Sequence, residues 1–86
     1  MEFGNLKIGK LYCFPTRAKS CFSPFHKSLY LMPENSVFVL LESEYNNTFW
    51  GDNPNWVTLK ILDSNGEIWY TDLNLVDFKF MEECKP

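Results

Sequence analysis

The chain has little of what catalysis and metal binding usually require. Its 86 residues include one histidine, His26, and three cysteines. An odd cysteine count leaves no complete disulfide framework, so a reduced, cytoplasmic protein is the expectation. There are four glycines and no Gly-rich run, which removes a phosphate-cradling loop from consideration. The longest strictly apolar run, Val37 to Leu41, falls far short of the roughly 20 residues of a membrane-spanning helix. The first five residues show no basic segment leading into an apolar one, so no signal peptide is expected. No long stretch holds an apolar repeat of helical period.

The scarce nucleophiles and ligands do not assemble into a motif. His26 lies in an irregular basic segment, a poor platform for a preorganised Ser-His-Asp or Cys-His arrangement. Cys13, Cys21, His26 and Cys84 would complete a four-ligand zinc set by residue type. Their spacings match no CxxC-type knuckle, however, and Cys13 inside an apolar run reads as a small core residue. Asp63 and Asp72 fit turn and cap chemistry, while Glu42 and Glu44 share a strand parity and read as solvated. The expectation is a protein without enzymatic activity, metal or cofactor.

What the chain has is aromatic side chains: eight Phe, four Tyr and three Trp. Rings bury large areas and favour a pleated surface, which suits a small core. Residues 1–86 are expected to form one domain. The charge is uneven. Lys7, Lys10, Arg17, Lys19 and Lys27 face Glu2 alone in residues 1–32, a local net of +4. Residues 33–86 carry three lysines and ten acids, a net of −7, for the overall −3. Such asymmetry marks an interaction surface, unless both halves mix their charges around a single folded body.

The pattern along the chain is that of short strands. Lys7 to Phe14 alternates loosely, with Gly9 as a bend or bulge. Pro15 to Met32 reads as a long loop, with Leu29 to Met32 as a short returning strand, and Pro33 to Ser36 as a turn. Val37 to Glu44 is apolar on both parities. It therefore reads as a strand covered on both faces, with the long loop over the second face. Tyr45 to Asn55 is a second loop that carries Phe49 and Trp50. Trp56 to Leu62 alternates cleanly, with Val57, Leu59 and Ile61 inward and Trp56, Thr58 and Lys60 outward. Trp56 is then either a recognition residue or a cap over the end of the core.

Asp63-Ser64-Asn65-Gly66 is the strongest hairpin signal in the chain. A two-residue Asn-Gly loop would set Leu62 opposite Trp69, on the outer face. A type I turn with Gly66 left-handed would set Ile61 nearer Trp69, on the core face. The Asp-Ser-Asn-Gly sequence suits the second and predicts a partly buried Trp69. Asp72 to Val76 reads as a helical turn capped by Asp72. Asp77 to Met81 reads as the last strand, and the charged tail reads as frayed.

The order strand, long loop, strand, loop, strand, tight turn, strand, helical turn, strand resembles an SH3-like barrel. Gly9-Lys10-Leu11-Tyr12, Trp56, Asn65-Gly66, Ile68, Asp72 to Leu75 and Val76 fall in the order that family uses. The resemblance implies an all-β, five-stranded antiparallel barrel with a long loop after strand 1 and a short helical turn before the last strand. The chain departs from the peptide-binding members in two ways. A basic segment (Arg17, Lys19, His26, Lys27) replaces their acidic loop, and Tyr70-Thr71-Asp72 stands where they place a groove proline. Recognition of PxxP peptides is therefore not implied. The chain looks more like short SH3-like proteins of bacteria and tailed bacteriophages, many without an assigned role.

The functional expectation is an interaction module. Tyr12, Trp50, Trp56 and Tyr70 would border an aromatic groove. Arg17, Lys19 and Lys27 would form a basic rim that attracts an acidic segment of a protein partner. A structural subunit of a homo-oligomer or larger, phage-like assembly is the second expectation, since exposed strand edges can be extended. A weak single-stranded nucleic-acid binder is the third. Bases and rings interleave from Arg17 to Lys27, but a pI near 5.0 opposes phosphate binding.

Overall fold

The computed structural model describes residues 6–23, 25–45, 56–74 and 76–84. The chain is all-β there: β1 (Leu11–Cys13), β2 (Lys19–Ser23), β3 (Ser28–Met32), β4 (Val37–Tyr45), β5 (Trp56–Leu62), β6 (Ile68–Asn74) and β7 (Glu82–Glu83), with one 3₁₀ helix at Asp77–Phe80. The strands form one antiparallel sheet in the order β3-β2-β6-β5-β4-β1-β7. β3 and β7 are its two edges, and no pairing among the described residues joins them. Among the described residues no helix is long and apolar enough to cross a membrane.

The β5–β6 hairpin forms as its turn sequence predicts. Asp63 N–H donates to Glu67 O (2.9 Å) and Gly66 N–H to Asp63 O (3.2 Å), and Gly66 has φ +81°. This is a type I turn followed by a left-handed glycine. It pairs Ile61 with Trp69 and Leu62 with Ile68. Trp69 is thereby on the core face and 8% exposed, in agreement with the type I alternative.

β4 departs from a regular strand at one residue. Leu40 pairs with Ile61, but the next pair is Glu42 with Lys60, so Leu41 is the extra residue of a bulge. The bulge lets Phe38 and Leu40 enter the core while Glu42 and Glu44 turn outward. Val37 is 40% exposed, and Val39 and Leu41 are half-buried. The expected cover over this second face is not formed by residues 15–32, which are committed elsewhere.

That segment is the main correction to the sequence reading. Pro15 to Met32 is not an open loop, although the short strand expected at Leu29 to Met32 does form, as part of β3. Lys19–Ser23 and Ser28–Met32 pair in full register, from Lys19 with Met32 to Ser23 with Ser28. The hairpin then attaches to β6 through Phe22 and Tyr70. Seven strands result where five were expected. β1 is shorter than Lys7 to Phe14, because Gly9 (φ +86°) turns the backbone just before it.

The C-terminal segment differs too. Asp72 to Asn74 continue β6, and the helical turn comes later, at Asp77–Phe80, where a strand was expected. Asn74 Oδ1 accepts the Asp77 N–H at 2.7 Å and starts the turn. Phe78 and Met81, three residues apart, are each 2% exposed. That spacing suits a turn of three residues and not an alternating strand. The tail is not frayed as far as Cys84. Glu82 and Glu83 pair with Cys13 and Tyr12, and Cys84 N–H donates to Leu11 O at 2.8 Å.

The inner face of the sheet and the C-terminal turn enclose one core. Tyr12, Phe14, Phe38, Leu40, Val57, Leu59, Ile61, Leu73, Phe78 and Met81 are buried in it. Phe14 stacks on Phe38 at 5.9 Å, and Tyr30 packs on Trp69 at 5.0 Å. Aromatic pairs at these separations add to plain area burial.

Candidate functional site

The outer face of the sheet carries the candidate site. Leu29 on β3 pairs with Phe22 on β2, Phe22 with Tyr70 on β6, and Tyr70 with Lys60 on β5. Paired residues project to the same side, so these four make one row across the sheet. Asp72, two residues beyond Tyr70, shares that side, as does Trp56, four residues before Lys60. Leu29, Phe22, Tyr70, Asp72 and Trp56 wall an open groove of about 720 Å³, completed by Ala18, Lys19, Ser20, Cys21 and Lys27.

The groove is apolar along its walls and charged at a few points. Phe22, Trp56 and Tyr70 are half-buried, and Leu29 is 79% exposed. Lys27 stands at one end in the β2–β3 turn. Lys19 is tethered: its ammonium donates to Asp72 O at 3.4 Å and lies 3.6 Å from Asp77 Oδ2. Asp72 brings a carboxylate to the groove. Its Oδ1 accepts the Thr58 hydroxyl at 2.5 Å, while its Oδ2 is buried and accepts no hydrogen bond among the described residues. Such an atom is costly to bury and holds unused acceptor capacity.

Of the residues expected at the site, Trp56, Tyr70, Lys19 and Lys27 do come together on this groove. Tyr12 does not. It is fully buried in the core, its ring 6.4 Å from Phe38, and its hydroxyl accepts the Lys7 N–H at 2.9 Å. Strand parity turns it inward, opposite Phe38. Arg17 is also elsewhere. Its guanidinium pairs with Asp77 Oδ1 at 3.1 Å and sits 3.8 Å over the Phe80 ring. Trp50 lies outside the described residues.

Phe22 and Asp72 escape the sequence reading because their segments read as loop and helical turn, and Leu29 because its short strand, part of β3, had no pairing partner in the sequence. The signal was present: Lys19 to Ser23 and Ser28 to Met32 are of equal length and separated by only four residues in the sequence.

The residues of the hypothetical zinc set are dispersed. Cys13 and Cys84 adjoin at the β1–β7 edge, Cys21 is on β2 opposite Tyr30, and His26 is on the β2–β3 turn. Burial pushes the Cys21 thiol up to about 11, with a smaller opposing effect from the Thr71 hydrogen bond and Lys19. Burial also pushes Cys13 up to about 11, reinforced by Cys84 and Glu82. Neither thiol is a ready nucleophile at neutral pH.

The chain matches no protein-family model, no curated protein and no solved structure.

Proposed function

We propose that the chain is a non-enzymatic protein-interaction module. It takes an extended partner segment across the outer face of its sheet, with apolar side chains seated against Phe22, Tyr70 and Trp56. An acidic residue of the partner meets Lys27, which makes no ion pair among the described residues. One observation carries this reading: four strands bring rings and a leucine into one open groove beside that cation. Rings in such a groove supply most of the affinity, and the rim charge mainly sets encounter rate.

We also read the architecture as SH3-like, opened at one edge. The type I hairpin turn and the 3₁₀ turn before the final strand support that reading. A nucleic-acid role loses support from the same geometry. Arg17 and Lys19 are turned to Asp77, and Asp72 adds a negative charge to the groove.

The test uses a fluorescent acidic peptide carrying leucine and phenylalanine, and a control peptide with its acids replaced by lysine. The acidic peptide binds and the control does not. Trp56→Ala and Tyr70→Ala each weaken binding by more than about 1 kcal/mol while the domain stays folded. Equal affinity for both peptides, or unchanged binding in both variants, overturns the proposal. Unfolding of Trp56→Ala would instead make that residue a structural cap, and Tyr70→Ala would then decide the matter.

A further inference from the structure

We propose that two copies of this chain join through their β3 edges, forming one continuous sheet about a two-fold axis at Tyr30. β3 (Ser28–Met32) is the outermost strand of the sheet, and its outer edge pairs with no described strand. Natural edges are blunted by lysines, prolines or bulges. This one has none of them, since its five residues are Ser, Leu, Tyr, Leu and Met, and it pairs with β2 without a register shift. Leu29 and Leu31, on its outer face, are 79% and 64% exposed.

The occupant follows from the self-complementarity of the strand. In an antiparallel pair centred on Tyr30, Leu29 of one copy stands opposite Leu31 of the other, and Ser28 opposite Met32. A two-fold contact requires such matching, because each pair occurs twice. The ends match in charge as well. Beyond the paired strands, the turn that carries His26 and Lys27 lies at the end where Glu34 follows β3 of the second copy, so the basic turn of each copy comes to the acidic turn of the other. The four leucines then lie between two Phe22–Tyr70 pairs. The apolar row runs unbroken from one groove to the other, and both grooves stay open.

Light scattering and hydrogen exchange of the full chain test this. The expected mass is twice the 10.2 kDa of one chain, and the β3 amides gain protection as concentration rises. Leu31→Lys returns the mass to that of one chain. Leu31 does not line the groove, and the single chain leaves Lys27 without the second copy's Glu34, so this variant keeps or gains peptide affinity, which separates failure of the dimer from failure of the interaction module. Circular dichroism confirms folding, and Leu31→Asn serves in its place if the lysine variant does not fold. A single-chain mass at every concentration up to about 1 mM overturns the proposal. So does a dimer whose β3 amides exchange as fast as in the monomer.

Discussion

The Trp69 indole N–H donates to Asp63 Oδ2 at 2.9 Å, across the mouth of the β5–β6 turn. The other carboxylate oxygen of Asp63 accepts the backbone N–H groups of Asn65 and Glu67, each at 2.9 Å. One side chain thus shapes the turn and satisfies the polar edge of a buried ring. A nearly buried indole needs such a partner, because an unpaired N–H in the core costs about 1–3 kcal/mol.

Asp63→Ala should therefore destabilise the fold by about 2 kcal/mol, the range for losing charge-assisted hydrogen bonds and leaving a buried donor unpaired. Urea unfolding followed by tryptophan fluorescence measures it. A midpoint equal to that of the native chain would show that the carboxylate holds neither the turn nor the indole.

Gly66 tests the turn from the backbone side. A Cβ at this position would meet no atom within 4 Å, so any cost of Gly66→Ala comes from φ +81° alone. The expected loss is about 1–2 kcal/mol for a side chain in the left-handed region. Gly66→Asn should cost less, since asparagine tolerates that region. If the alanine variant proved as stable as the native chain, the hairpin would have to adopt another turn.

Arg17 and Lys27 were expected to share one rim, and the structure separates them. Arg17→Ala should leave peptide affinity unchanged and lower stability by less than about 1 kcal/mol, because the Asp77 pair is partly exposed and screened. Lys27→Ala should slow peptide association and reduce its salt dependence. Stopped-flow binding at two ionic strengths distinguishes them, and slower association in the Arg17 variant would contradict the placement.

The buried thiols predict a loss of stability in base. The Cys21 pKa is raised from 9.0 to about 11 in the folded chain. Between those values the folded form keeps a proton that the unfolded form releases, so stability is full below pH 9 and declines as pH rises toward 11. The decline per thiol is at most about 2–3 kcal/mol. Cys13 titrates in the same window, so Cys21→Ala should remove only part of the slope. Urea midpoints measured across this range in both proteins check it, and identical slopes would show that Cys21 contributes nothing.

Local chemistry was legible where neighbouring residues decide the outcome. Asp63 to Gly66 prescribe a turn type through side-chain acceptors and a glycine, and that turn alone places Trp69 on the core face. The alternation of Val57, Leu59 and Ile61 needs only the two-residue period of a strand, and all three are buried.

Other features were decided by contacts distant in sequence. Lys19 to Ser23 looks like part of a loop because prolines and serines surround it, and it becomes a strand by pairing with Ser28–Met32 and with Tyr70. Tyr12 reads as a groove residue until register with Phe38 turns it into the core. Asp77 to Met81 alternates in its Phe78 and Phe80, yet the Asp77 N–H bonded to Asn74 Oδ1 starts a turn there, and Phe78 and Met81, three residues apart, become the buried pair. Composition and short-range periodicity determined that this chain is all-β and where its tightest hairpin lies, because turn geometry and strand parity act between adjacent residues. Only the assembled sheet decided which rings share a groove, since cross-strand register joins Phe22 to Tyr70, which the chain keeps some fifty positions apart.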